Sequence, residues 1–254
     1  MRATSRDRVN LSDLHSIPGY KAINRAAGKA QQKYGMISDG DRICVGVSGG
    51  KDSLTLFCLL NERLRRIPIN YRIFACYIDP GFDNGFANDL ERFFAENGWE
   101  LKIEHSNCGV VAHSEENREN PCFLCSRLRR KRLFEVCAEL GCNKLALGHH
   151  KDDIIESMFI SMFYSGEMSL MKPFLPMFGG KVTIIRPLAF ADESDIIRFS
   201  KHSGFPSFKN PCPSAENSKR SEIKKMLATL YKDNRKVRGN IFRALGNIKK
   251  DYLL

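Results

Sequence analysis

Apolar and polar positions change period repeatedly along the 254 residues. Short, nearly unbroken apolar runs predict strands over 42–47, 71–78, 99–105, 143–148 and 182–187. Between them, apolar residues recur at helical spacing and predict helices over 53–66, 86–97, 123–140, 152–165 and 192–203, several stopped by glycine, as at Gly98, Gly141 and Gly166. A helix over 18–34 precedes this series, and residues 106–121 read as a polar loop. A proline-rich loop, 205–217, leads into two basic helices, 218–232 and 237–249. Strands alternating with helices predict an α/β fold, a doubly wound parallel sheet with an N-terminal helix and basic C-terminal helices. The expected divisions are a helical segment over 1–40, an α/β domain over 41–204 and a basic extension over 205–254.

One junction carries chemistry. The apolar run Ile43–Val47 passes into Ser48-Gly49-Gly50-Lys51-Asp52-Ser53 and then into the helix-periodic stretch Leu54–Leu60. Two glycines let backbone approach an oxyanion closely, the free amides and dipole of the helix start favour negative charge, and Lys51 adds a full positive one. Ser48 and Ser53 can bond phosphate oxygens or cap the helix, and Asp52 can sit beside magnesium. The spacing is not the Walker form, which places four residues between its first glycine and Gly-Lys. The hexapeptide resembles the pyrophosphate loop of the PP-loop ATP pyrophosphatases, which adenylate a carbonyl-type oxygen.

Composition narrows the class. With 43% apolar and 27% charged residues the chain reads as soluble and globular, and no apolar stretch has the length needed to span a bilayer. The start, Met1–Arg6, is basic without a following apolar core, so a cytoplasmic address is expected and no membrane partner. The net charge of +11 is uneven. Residues 201–254 hold thirteen Lys and Arg against four Asp and Glu, and Arg127, Arg129, Arg130, Lys131 and Arg132 crowd five cations into six positions. Such faces attract polyanions.

Nine cysteines do not read as a disulfide framework in a cytosolic chain of this size. Cys44, Cys58, Cys76, Cys137 and Cys142 lie in or beside apolar segments and read as core residues, and Cys108 falls in the polar loop without an assigned role. Cys122 and Cys125 open a helix as a CxxC pair beside the cationic run, where dipole and neighbouring charge are expected to lower their pKa. Cys212, in Asn210-Pro211-Cys212-Pro213-Ser214, offers a third sulfur. These three suit a zinc ion, a redox pair, or a [4Fe–4S] cluster with one iron left open. Asp152 and Asp153 begin a helix after a strand and can hold magnesium or a proton, or act as an acidic N-terminal pair. Arg129, one turn past Cys125, can steady developing negative charge.

Cys122–Arg130, Leu147-Gly148-His149-His150-Lys151-Asp152-Asp153 and Ile185-Arg186-Pro187-Leu188 together resemble the bacterial tRNA-cytidine 2-sulfurtransferases, from about residue 19 to 232. The resemblance implies a Rossmann-like fold of the adenine-nucleotide alpha hydrolase type. It also implies ATP and Mg2+ activating O2 of cytidine 32 in tRNA, and a [4Fe–4S] cluster on Cys122, Cys125 and Cys212 presenting sulfide that displaces AMP. Ser48–Ser53 and Gly148 would bind the nucleotide, and Asp52, Arg129, Asp152 and Asp153 would serve catalysis. tRNA and a cysteine desulfurase are the implied partners, and a homodimer is compatible. The family usually carries Pro-Cys-x-x-Cys where this chain reads Pro211-Cys212-Pro213-Ser214-Ala215, so only the first cysteine is present. Adenylation of another base, or a zinc-stabilised RNA-binding protein without turnover, are the competing readings.

Overall fold

The computed structural model describes residues 11–214, 219–234, 236–249 and 251. The basic start Met1–Arg6, Ala215 and Lys250 lie outside the described residues. The described residues fall into two compact units, the first comprising 11–150 with 172–214 and the second 151–171 with the described residues from 219 onward.

The first unit opens with a short 3-10 turn, Leu11–Ser16, and helix α1, Tyr20–Tyr34. Strands β1 (Arg42–Val47), β2 (Arg72–Asp79), β3 (Leu101–His105), β4 (Lys144–Leu147), β5 (Phe174–Met177) and β6 (Val182–Ile185) form one sheet in the order β3-β2-β1-β4-β6-β5. All neighbours pair parallel except β5 with β6. The antiparallel edge strand is absent from the sequence pattern because it is four residues long and carries Pro176, tolerable only where no ladder donor is needed. Between the strands run α2 (Lys51–Arg63), α3 (Ala87–Glu96), α4 (Cys108–Ala112) and α5 (Pro121–Glu139), and α7 (Glu193–His202) follows β6. Helix α4 lies inside the stretch expected to be a polar loop.

Strand alternation divides the core. Ile43, Val45 and Val47 face one layer with Leu54, Phe57, Phe94 and Phe199, whereas Cys44 faces the other with Cys76, Val136, Cys137 and Leu145. A sheet buried on both faces explains why its strands read as continuous apolar runs. Buried Glu62 fastens the N-terminal elements to α2, accepting from the Tyr20 hydroxyl at 2.9 Å and from Arg66 Nε at 2.7 Å, with His15 Nε2 at 3.1 Å.

The chain leaves β1 in one direction for β2 and β3, then returns to β4 on the other side. Doubly wound sheets hold ligands in the crevice at such a reversal.

The second unit contains α6 (Lys151–Ser165), α8 (Lys219–Asp233) and α9 (Lys236–Ala244). Its centre is Ile155, Ile223 and Leu227, with Phe159, Tyr231, Ile241 and Phe242 packed around them. The basic helices bury an apolar face by recruiting α6. No described helix is long and apolar enough to cross a membrane.

Candidate active site

β1 ends at Val47, and the turn that follows is tied by its own serines. The buried Ser53 hydroxyl donates to Gly50 O at 2.9 Å and accepts from the Ser48 amide at 3.0 Å and the Ser48 hydroxyl at 3.2 Å. Gly49 has φ of +76°, and a Cβ there would stand 2.5 Å from the Phe86 ring, so glycine is required twice over. Gly50 begins α2 with no side chain capping it, which keeps the amides of the first turn turned toward the loop. Gly148, at the end of β4, lets the start of α2 approach: a Cβ would meet the Asp52 carbonyl and the Ser53 nitrogen at 3.0 Å.

Lys51 reaches Asp52 and Glu193 at 3.2 Å each. Burial alone would push the Lys51 ammonium down, but the two carboxylates outweigh it and hold its pKa above the ordinary value. Asp52 also stands 3.7 Å from Nε2 of buried His150. Glu193 had no sequence signal beyond an acidic residue in the first turn of a helix.

A cavity of about 250 Å3 is lined by this loop and by residues that neighbour the cysteines in the chain. Its lining is Ser48, Gly49 and Gly50 of the loop, the aromatic rings of Tyr77, Phe86 and Phe208, and Pro80, Arg129, Asn210 and Pro211. Phe86 and Phe208 stack with centroids 4.8 Å apart at 13°. The Nε of Arg129 is buried and has no hydrogen-bond partner among the described residues.

Asn120 caps α5 by accepting from the Phe123 amide at 3.2 Å, which sets Cys122 and Cys125 in its first turns. Cys122 is exposed, and Cys125 and Cys212 are half-buried. The three thiols are within electrostatic reach, since Cys212 raises the pKa of both others. The expectation that dipole and cations lower the CxxC pKa values is therefore corrected. Partial loss of water around the thiol of the otherwise exposed Cys122 is the first cause there, and a hydrogen bond with Cys108 for Cys125. Thiols held above their ordinary pKa by burial and by neighbouring sulfur suit a positively charged occupant, which restores the thiolates. Among the described residues no three such side chains close on one point as a single-ion site would require. A cluster does not require it, because each cysteine binds a different iron.

Helix α4 adds two residues to this region. Cys108 is buried, accepts from the Ser106 hydroxyl at 3.2 Å, and is drawn down to about 6, chiefly by its hydrogen bond with Cys125. His113 places Nδ1 2.9 Å from the Gly109 carbonyl, so that nitrogen carries the proton, and Nε2 accepts from the Ser214 hydroxyl at 2.9 Å, with Cys212 Sγ 3.9 Å away.

In the helical unit, Asp152 pairs with Arg238 at 3.2 Å, and Arg220 lies 3.6 Å from both Asp153 and Glu156. The acidic start of α6 thus faces arginines of the basic helices.

Residues 20–230 match the family model described as a PP-loop domain. The chain is 38% identical over 239 residues to the tRNA-cytidine(32) 2-sulfurtransferase of Geotalea daltonii, covering 92% of this chain and 94% of the relative. It is 38% identical over 239 residues to the enzyme of that name from Geobacter sulfurreducens, covering 92% and 93%. Among solved structures it is similar to the U34-tRNA thiolase NcsA from Methanococcus maripaludis with its [4Fe-4S] cluster. That match has a TM-score of 0.73 and 27% identity, over 90% of this chain and 79% of that one.

Proposed function

This chain belongs to the PP-loop family and, within it, to the tRNA-cytidine(32) 2-sulfurtransferases, and on that premise we propose that it converts cytidine 32 of tRNA to 2-thiocytidine with ATP, Mg2+ and a [4Fe–4S] cluster. The observation that carries the reading is one cavity lined both by Ser48, Gly49 and Gly50 of the glycine loop and by Arg129, Asn210 and Pro211, which lie close in sequence to Cys125 and Cys212.

A pyrimidine carbonyl oxygen is a poor leaving group, so it must first be activated. Cytidine O2 attacks the α-phosphorus of ATP; the new O–P bond forms as the bond to pyrophosphate breaks. The charge accumulating on pyrophosphate falls where Gly49 and the uncapped start of α2 present amides and Lys51 its ammonium. Lys51 can exchange Asp52 or Glu193 for phosphate oxygen, and Asp52, once released, is the proposed magnesium carboxylate. Arg129, with an unpartnered Nε beside the cavity, is proposed to steady negative charge on the departing AMP.

Cys122, Cys125 and Cys212 are the proposed cluster ligands; the cluster they would hold would supply sulfide as the nucleophile at C2, with AMP leaving on the activated oxygen. The sulfur is proposed to come from a cysteine desulfurase, and the site of action to be the cytoplasm. The exposed cations of α8 and α9 are proposed to follow tRNA phosphates without reading bases.

The test is anaerobic reconstitution, then tRNA-dependent pyrophosphate release and nucleoside analysis of the product. Appearance of 2-thiocytidine supports the reading, and pyrophosphate release indifferent to tRNA sinks it.

A further inference from the structure

Asn210 lies in the cavity two residues before Cys212, and its Oδ1 accepts from the Cys212 backbone amide at 3.1 Å. An amide donor must face oxygen, so this bond settles which way the side-chain amide points. Its Nδ2 is left as a donor with no protein partner among the described residues, on an exposed residue that lines the cavity. Arg129, which also lines the cavity, is donor-only. The cavity is therefore lined by two donor-bearing side chains together with Tyr77, Phe86 and Phe208.

The volume, about 250 Å3, is below the roughly 300–1,000 Å3 of pockets for drug-sized ligands and suits a single heterocycle. Enzymes acting on a base take it from the stack, hold it against aromatic or apolar side chains and read its Watson–Crick edge. On that edge cytosine presents two adjacent acceptors, O2 and N3. Uracil presents O2 beside an N3–H donor.

We infer that Asn210 is the specificity-determining residue that selects cytosine over uracil, its Nδ2 donating to N3 of the base. With uracil the same group meets N3–H, donor against donor, and neither finds a partner. The inference rests on the proposed function and names the residue that makes its base choice. Asn210→Asp keeps the oxygen bonded to the Cys212 amide and replaces the donor by an acceptor, so the loop keeps its anchor while the reading inverts.

The experiment uses the full chain with its cluster reconstituted and two anticodon stem-loops that differ only in cytidine or uridine at position 32. Binding is measured by fluorescence anisotropy without nucleotide, and thiolation of both is then followed by nucleoside analysis. The natural protein should prefer the cytidine form by about ten-fold, the scale of one unmet hydrogen bond. Asn210→Asp, at unchanged iron content, should lose or reverse that preference in binding and in product. An unchanged preference in Asn210→Asp, or none in the natural protein, overturns the inference. Loss of binding to both stem-loops at full iron content also overturns it, because Asn210 would then support binding without telling one base from the other. If the binding preference is present but neither stem-loop is thiolated, the functional reading fails and the base-reading role stands.

Discussion

Lys51 and Glu193, 142 positions apart, meet at 3.2 Å across the entrance of the glycine loop. Asp52 holds the same ammonium at 3.2 Å. The cation that should meet a triphosphate is thus pre-positioned by two carboxylates, and binding must exchange at least one of them for phosphate oxygen. A preformed pair of this kind orients Lys51 at the cost of competing with the ligand.

Lys51→Ala should weaken ATP binding by about ten-fold or more, because a charge-assisted phosphate contact is lost. Glu193→Gln should act in the opposite sense for magnesium-free pyrophosphate, strengthening it by removing one negative charge and freeing Lys51. Calorimetric titration of both variants checks the pair. Equal affinities in all three proteins would mean that Lys51 does not reach the phosphates.

Gly49 and Gly148 predict different outcomes for one added methyl group. At Gly49 the backbone is left-handed and the Phe86 ring stands where Cβ would go. Gly49→Ala should cost about 1–3 kcal/mol of stability from the backbone alone, and Phe86→Ala beside it should restore only the part due to the ring. At Gly148 the obstacle is the backbone of Asp52 and Ser53, which cannot rotate away. Gly148→Ala should shift the start of α2 and reduce ATP affinity more than it lowers the melting temperature. Thermal unfolding read beside ATP titration separates the two.

The glycine loop was legible in the sequence because its chemistry is local: six consecutive residues between a strand and a helix. The grouping of Cys212 with Cys122 and Cys125 was open to the sequence only as a third sulfur in a proline-flanked loop, since no periodicity links that loop to a helix start some ninety residues earlier. Glu193, Phe86 and Phe208 reach the site by tertiary contact and carry no motif. Helix α4 was hidden because five residues are too few for helical periodicity to register, and with it went Cys108 and His113. Asn210 was visible only as a loop residue before proline, and its value lies in one hydrogen bond to Cys212.

Cys108 and Cys125 predict a titration in the metal-free protein. A thiolate on Cys108, held by Cys125 and Ser106, forms as pH rises through about 6. Ultraviolet absorbance of the thiolate should gain about one equivalent across that range, and Cys108→Ser should remove the step. A first thiolate forming only near 9, the ordinary cysteine value, would contradict the pairing.

Glu62 predicts a pH-dependent contribution to stability. Burial raises its pKa, but hydrogen bonds from Arg66, Tyr20 and His15 outweigh it and place the folded value below the ordinary 4.5. A depressed carboxylate stabilises above its unfolded value, and the stabilisation is lost as pH falls through the folded one. Glu62→Gln should therefore cost about 1–3 kcal/mol at pH 7 and progressively less as pH falls below the ordinary carboxylate value. Urea unfolding at the two ends of that range gives the comparison, and a pH-independent cost would contradict the charged network.

The basic helices predict a salt dependence that can be altered without disturbing their core. Arg220 and Arg238 are poor choices for substitution, because they face Asp153, Glu156 and Asp152 inside the helical unit. Lys225, Lys232 and Lys236 are exposed, while the buried face of α8 rests on Ile223 and Leu227. Each phosphate neutralised by a cation releases counterions, and the logarithm of affinity falls with the logarithm of salt by about 0.9 per contact on a duplex and about 0.7 on a single strand. Replacing the three lysines by glutamate should therefore weaken tRNA binding at low salt and flatten the slope by about 2 to 3. Lysine contacts to phosphate carry no sequence information, so the loss should be equal for cytidine and uridine at position 32. Nitrocellulose filter binding across a salt series gives affinity and slope from one data set, with circular dichroism as the check on folding. An unchanged slope in a folded variant would make these lysines a solvated surface and put the tRNA backbone elsewhere on the chain.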